Sequence, residues 1–366
     1  MSDQLYMTRA LELAHQGLYS THPNPRVGCV IVRDGQIVGE GWHVRAGEPH
    51  AEVHALRQAG ERARGATAYV TLEPCSHFGR TPPCAEALVK AGVARVVAAM
   101  QDPNLQVAGR GLERLRSVGI EVSSGVLEAE ARELNVGFIK RMETGFPYVR
   151  VKLAMSLDGR TAMASGESQW ITGPAARAAV QRLRARSSVV ITGADTVLMD
   201  AARLTVRGEE LGVSPEQAAL ALGRPPLRVL VDGRGRVPLS APFFQAGPAL
   251  VVTALNTPVD YPAAGHECLA LPGDGERVDL AALLRSLAER GANEVLVEAG
   301  PRLAGAFARL GLVDEYQIFM AGKFLGSSAR PLLDWPLEYM AEAPELRIRE
   351  VRAVGDDWRI IAVPAR

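Results

Sequence analysis

Four side chains in the first quarter of the sequence have the types and order needed to work on water: His50, Glu52, Cys75 and Cys84. A neutral imidazole and two thiolates fill three positions of a tetrahedral Zn²⁺ and leave the fourth for water. The metal lowers the pKa of that water toward neutrality and makes hydroxide available. A carboxylate that is not a ligand must then shuttle protons, and Glu52 suits that role. A purely structural zinc site would take four protein ligands and need no spare carboxylate.

The order H-x-E followed by P-C and a second Cys is that of zinc deaminases acting on amino groups of heterocyclic bases. The second half departs from the usual C-x-x-C spacing. Eight residues, 76–83, separate Cys75 from Cys84, so a loop is inserted between the thiolates. His54 lies four residues after His50 and offers a rival two-His pair. The two cysteines serve the metal better, which leaves His54 to packing or to a supporting role. His15 and His22 read as surface or loop groups.

These residues must be held by elements. Met7, Ala10, Leu11, Ala14 and Leu18 recur at helical spacing over residues 4–18. Asp34-Gly35, between the apolar runs 29–32 and 37–39, predicts a type I′ hairpin. Residues 50–59 read as a helix stopped by Gly60. With His50 at its N-terminus, both His50 and Glu52 reach one site; in mid-helix, i and i+2 would diverge. The strand 68–72 delivers Glu73-Pro74-Cys75. Pro82-Pro83 opens a helix at Cys84, ended by Gly92, and the helix dipole there favours a thiolate. Strands at 95–100 and 120–122, with helices at 109–117 and 128–142, imply an α/β sandwich. A breaker cluster, Thr144-Gly145-Phe146-Pro147, marks a boundary between domains 1–146 and 147–366.

In the second part, strands are expected at 148–154, 189–193, 228–232, 250–253 and 294–298, and a helix from Pro174 to Arg186. Residues 206–226 and 254–275 read as surface loops. Residues 313–320 and 322–326 read as a late hairpin-like unit. The strand 294–298 runs through Gly300 toward a helix, the form of a phosphate cradle, although such a turn can need its glycine for geometry alone. No G-x-G-x-x-G is present, so a Rossmann dinucleotide domain is not expected.

Composition narrows the partners. The 366 residues carry 41 basic and 41 acidic side chains and are 47% hydrophobic. Zero net charge argues against a general nucleic-acid or membrane-surface binder. The start lacks the basic and apolar regions of a signal peptide, and no apolar run approaches about 18 residues. Of four cysteines, two belong to the metal site, and Cys29 and Cys268 read as buried small hydrophobes rather than a disulfide. The expected setting is cytoplasmic and reduced.

Asn24-Pro25-x-Val27-Gly28, His50-Ala51-Glu52 and the run from Thr71 to Cys84 together resemble the bifunctional riboflavin-biosynthesis deaminase/reductases. Lys152-Leu153-Ala154-x-Ser156-Leu157-Asp158-Gly159-Arg160 resembles their reductase half. The resemblance implies a cytidine-deaminase-like three-layer domain followed by a dihydrofolate-reductase-like domain. It implies one zinc in the first and NADPH across the sheet edge of the second.

The implied reactions are hydrolytic deamination of 2,5-diamino-6-ribosylamino-4(3H)-pyrimidinone 5′-phosphate, then reduction of the ribosyl side chain to ribityl. Carried over by motif position, cofactor contacts are Ala154, Trp170, Thr196, Asp200 and the segment Gly300, Pro301, Arg302, Leu303, Ala304, Gly305 and Ala306. Substrate contacts are Ser168, Arg184, Leu204, Arg207 and Glu298, with Asn24 and His77 in the deaminase pocket. Arg184 and Arg207 suit a phosphate, because guanidinium binds its oxygens bidentately. By residue type alone Asn24 is a turn former, the two arginines are solvated surface groups, and Asp200 caps a turn. The resemblance also implies a homo-oligomer joined through the reductase domain. Two rivals stand beside this reading: a nucleic-acid-editing deaminase, and a non-catalytic zinc and nucleotide sensor.

Overall fold

The computed structural model describes residues 2–76, 83–105, 107–273, 275 and 277–365. The chain divides into two compact units, Met1–Phe146 and Pro147–Arg366. Among the described residues, no helix is long and apolar enough to cross a membrane.

The first unit runs α1 (Asp3–His15), β1 (Gly28–Arg33), β2 (Gln36–Trp42), α2 (Ala51–Ala59), β3 (Thr67–Val70), α3 (Cys84–Ala91), β4 (Arg95–Ala98), α4 (Arg110–Ser117), β5 (Glu121–Ser124), α5 (Glu128–Leu134) and α6 (Val136–Thr144). The sheet order is β2-β1-β3-β4-β5. The β1/β2 and β1/β3 pairs are antiparallel, and the rest are parallel. Asp34 and Gly35 both have positive φ, 50° and 75°, as the expected I′ turn requires. Met7, Ala10 and Ala14 pack with Ala131, Leu134 and Ile139 on one sheet face. Ala51, Ala55, Leu88 and Leu115 pack on the other, which completes three layers.

The expected helix 128–142 is two helices. They break at Asn135, whose Oδ1 accepts from the Arg26 N–H and whose Nδ2 donates to the Arg26 carbonyl. A side chain that pairs so closely with distant backbone stops the local helix.

The second unit runs β6 (Tyr148–Ser156), β7 (Arg160–Ala162), α7 (Pro174–Arg186), β8 (Val189–Gly193), α8 (Ala194–Asp200), α9 (Pro215–Leu222), β9 (Leu227–Val231), α10 (Pro242–Gln245), β10 (Leu250–Ala254), β11 (Glu267–Leu271), α11 (Leu280–Glu289), β12 (Glu294–Glu298), α12 (Pro301–Arg309), β13 (Glu315–Ala321), β14 (Arg330–Pro331), β15 (Leu346–Val354) and β16 (Asp357–Pro364). Nine strands form one sheet in the order β11-β10-β9-β8-β12-β6-β13-β16-β15. It is parallel from β11 to β13 and antiparallel at β13/β16 and β16/β15. Arg150 on β6 is buried and satisfied by Glu294 and Glu315 on the two flanking strands.

Three expectations need correction. The supposed loop 206–226 contains α9, started by Ser214, whose Oγ accepts from the Gln217 N–H. The supposed loop 254–275 contains β11, an edge strand half exposed along its length and so weakly patterned. Residues 313–326 are no hairpin: β13 inserts between β6 and β16, and the true hairpin is β15/β16.

Candidate functional sites

His50 is the N-cap of α2, with extended backbone, and Glu52 lies in the first turn. The helix sits close on β2 because Gly41 has no side chain; a Cβ there would lie 2.5 Å from the Ala51 carbonyl oxygen. Cys75 follows β3 after a turn pinned by Glu73. The Glu73 carboxylate accepts four backbone N–H groups, from Asp102, Gly109, Gly111 and Leu112, at 2.8–3.3 Å. Cys84 opens α3. Its N–H donates to Cys75 Sγ at 3.3 Å, and the Ala85 N–H donates to the Cys75 carbonyl at 3.1 Å.

These elements bring three donors together. His50 Nδ1 lies 3.7 Å from Cys75 Sγ and 3.3 Å from Cys84 Sγ. All three donor atoms fall within 4.8 Å of one another. The edges of a Cys₂His zinc tetrahedron measure about 3.3–3.8 Å, so the donor set fits zinc in chemistry and spacing. Glu52 is 3% exposed, and its Oε2 has no hydrogen-bond partner among the described residues. A buried carboxylate oxygen left unpaired beside a metal-ligand triad is free to take a proton. His54 is not in the donor group. His77 lies outside the described residues.

Electrostatics follow from this packing. The Cys84 thiol donates to Cys75 and sets the Cys75 pKa down to about 4, with His50 helping. The same bond, together with burial, pushes the Cys84 pKa up. A divalent cation would draw both down, since thiolates are its ligands. The hydrogen bond to Cys75 raises the His50 pKa. Burial raises that of Glu52, and negative charge on Cys75 adds to it.

Asn24 does not stand free. Its Nδ2 lies 3.0 Å from Nε2 of His43, a residue that the motif reading passes over. Burial holds the His43 pKa down at about 4, so this ring is neutral.

In the second unit a cleft of about 1920 Å³ opens where the parallel strands end. Ligand sites of parallel α/β sheets gather at that edge. Its volume is about twice that of an ordinary single-ligand pocket, which leaves room for two ligands. It is lined by Ala154, Ser168, Trp170, Arg184, Thr196, Asp200, Leu204, Arg207 and Glu298, and by Gly300, Pro301, Arg302, Leu303 and Ala306. Ala304 and Gly305 do not line it. Ala304 is fully buried, and a Cβ on Gly305 would lie 2.6 Å from the Asp334 carbonyl oxygen. The helical period of α12 turns these two toward the interior.

Several cleft residues hold one another. Ser168 Oγ donates to Asp200 Oδ1 at 2.7 Å, and the Gly300 N–H donates to Thr196 Oγ1 at 3.0 Å. Arg184 is not the solvated arginine that its type alone allows. Its Nε and Nη2 donate to the two oxygens of Glu298 at 2.6 and 3.0 Å, and Nη1 donates to the Thr205 carbonyl at 3.0 Å. Arg207, with a side chain 44% exposed, pairs with Glu210 and is the more available of the two for an anion.

Burial opposes the charge on Glu298, but Arg184 prevails and holds its carboxyl below the usual range. Removing one partner of such a pair leaves an uncompensated buried charge. Glu298→Gln is therefore expected to destabilise the second unit by about 3–5 kcal/mol, read from its denaturant midpoint. An unchanged midpoint would show that water reaches and solvates Arg184.

Comparison with known proteins identifies the two units. Residues 1–100 match the cytidine and deoxycytidylate deaminase zinc-binding region. Residues 147–360 match the RibD C-terminal domain. The riboflavin biosynthesis protein RibD of Escherichia coli K12 is 55% identical over 98% of both chains. That of Haemophilus influenzae is 48% identical over 99% of this chain and 97% of its own. The chain belongs to the RibD family.

Solved RibD structures overlay closely. That of Acinetobacter baumannii, form 1, has a TM-score of 0.92 at 50% identity and covers 100% of this chain and 99% of its own. The Thermotoga maritima diaminohydroxyphosphoribosylaminopyrimidine deaminase/5-amino-6-(5-phosphoribosylamino)uracil reductase has a TM-score of 0.86 at 35% identity, with 99% of each chain covered. As a RibD, the chain is a bifunctional deaminase and reductase of riboflavin biosynthesis, with a zinc-binding deaminase domain and an NADPH-using, dihydrofolate-reductase-like domain. The editing-deaminase and sensor readings fall with this membership.

Two residues placed at these sites escaped the sequence reading. His43 is a lone histidine with no spacing signal. Lys152 lines the RibD cleft and pairs in register with Glu298 on β12. Burial lowers its pKa, and Glu298 opposes that fall. Its available signal was a lysine inside the expected strand 148–154, two residues after Arg150.

Proposed function

We propose that residues 1–146 deaminate 2,5-diamino-6-ribosylamino-4(3H)-pyrimidinone 5′-phosphate and that residues 147–366 reduce the product to 5-amino-6-(5-phosphoribitylamino)uracil. The observation that carries the first step is the His50–Cys75–Cys84 donor set beside Glu52, whose buried Oε2 has no hydrogen-bond partner among the described residues. His50, Cys75 and Cys84 would hold the zinc, which would supply Lewis acidity toward the attacking water. Glu52 accepts a proton from the attacking water and returns it to the ring nitrogen. It then passes the second proton to the departing amine, so that water is consumed, ammonia leaves and C2 carries the oxygen. Asn24 and His77 are assigned to the pyrimidine.

In the second unit NADPH supplies the hydride. We assign its binding to Ala154, Trp170, Thr196, Asp200 and the start of α12 from Gly300 to Ala306, with Ala304 and Gly305 acting through packing. Ser168, Leu204 and Arg207 are assigned to the substrate, with Arg207 on its phosphate. Arg184 and Glu298 are assigned to the substrate as a pair. On reduction the ribose C1′ becomes a methylene and its bond to the ring oxygen breaks. That oxygen then needs one proton, and Lys152 is the group we assign to hold it. Its burial and its neighbour Glu298 support this role.

We also propose a cytoplasmic homo-oligomer joined through the second unit. Support comes from β15, an edge strand that exposes Leu346, Ile348 and Val351. Open apolar edges of this kind invite pairing with another chain.

The test supplies the diaminopyrimidinone ribosyl phosphate and follows zinc content, ammonia and NADPH together. One zinc per chain, ammonia released first and NADPH consumed only afterwards are expected. Zinc present without ammonia release would defeat the substrate assignment.

A further inference from the structure

We propose that His43 is a positioning residue that ties the Asn24 loop to the metal-ligand turn and sets the orientation of His50. The proposal rests on the reading of His50, Cys75 and Cys84 as the zinc ligands.

His43 follows β2 directly and is 2% exposed. Both ring nitrogens are engaged. Nδ1 lies 3.2 Å from the Pro49 carbonyl oxygen, and Nε2 lies 3.0 Å from Asn24 Nδ2. A carbonyl only accepts, so Nδ1 carries the hydrogen. Nε2 faces the Asn24 Nδ2, which only donates, so Nε2 is the acceptor and the Asn24 amide turns an N–H toward it. One tautomer therefore fixes which way the Asn24 amide faces.

The other end of the ring acts on the metal ligand. The Pro49 carbonyl belongs to the peptide that enters His50, so the Nδ1 bond restrains the backbone at the N-cap of α2. The His43 ring also meets the His50 ring edge-on, with centroids 5.2 Å apart and planes at 83°. A backbone tether and a ring contact together hold His50 with Nδ1 toward the two sulfurs. His43 is itself anchored, since its N–H donates to the Val27 carbonyl at 2.9 Å. A buried imidazole needs hydrogen-bond partners in any case; what sets His43 apart is that its partners lie on the Asn24 loop and on the peptide that enters His50. Residues that orient metal ligands in this way typically change metal affinity about 10–100-fold when removed.

The test is zinc affinity of the full chain by chelator competition, together with the visible absorption of the Co²⁺-loaded chain. His43→Ala is expected to weaken zinc about 10–100-fold and to alter the Co²⁺ bands. His43→Asn, whose amide can donate to the Pro49 carbonyl, is expected to recover part of the affinity. Asn24→Ala, which leaves the backbone alone, is expected to weaken zinc in the same direction by less. Zinc affinity within about twofold of the parent in His43→Ala would overturn the proposal. So would loss of folding in that variant with zinc binding unchanged in both milder ones. Failure of the underlying ligand assignment looks different: the otherwise unaltered chain would bind no zinc, or Cys75→Ser would keep it.

Discussion

Glu52→Gln is expected to keep one zinc per chain and to lose deamination by about 10²–10⁴-fold, the usual worth of a positioned acid–base group. The amide has the shape of the carboxylate, so the donor triad keeps its neighbours, but it cannot take a proton from water. The reason to expect so large a loss is that, among the described residues, Glu52 Oε2 is buried without a hydrogen-bond partner and no carboxylate belongs to the donor group. The checks are metal analysis and ammonia release on one preparation. Ammonia at the parental rate from zinc-loaded E52Q would refute the proton shuttle. Burial also raises the Glu52 pKa.

Cys75→Ser is expected to abolish zinc retention and ammonia release while leaving NADPH-dependent reduction of the already deaminated substrate intact. A hydroxyl is a poor replacement for a thiolate at a zinc centre. The cleft assigned to reduction is lined by residues 152–334, all within the second compact unit. Both rates are measured on the same full-length chain. Loss of reduction along with deamination would show that the units depend on one another. Retained zinc would remove Cys75 from the ligand set.

The clustering of His50, Cys75 and Cys84 was legible in the sequence because they are rare residue types placed at element ends. A histidine before a helix, a cysteine after a strand and a cysteine behind Pro82-Pro83 can all be read locally. The hairpin at Asp34-Gly35 was legible for the same reason, since few residues accept two positive φ angles. His43 was not, because its role exists only where the end of β2 meets Asn24 and Pro49, contacts that no spacing encodes. The cleft showed a related limit. A contiguous segment such as 300–306 reads as one site, yet a helix turns part of any such run away, as Ala304 and Gly305 show. Helix α9 was missed although Ser214-Pro215 announces it; polar, glycine-flanked surroundings hid a short helix inside what reads as loop.

The cleft of the second unit is continuous from Ser168 and Arg207 to Gly300 and Arg302. An inhibitor need not choose between imitating the sugar phosphate and imitating the dinucleotide. A single compound joining a ribityl phosphate mimic to a nicotinamide mimic would present its second half at millimolar effective concentration once the first is seated. Its affinity could then exceed either half by about 10²–10⁴-fold, provided the linker spans the floor between Ala154 and Glu298.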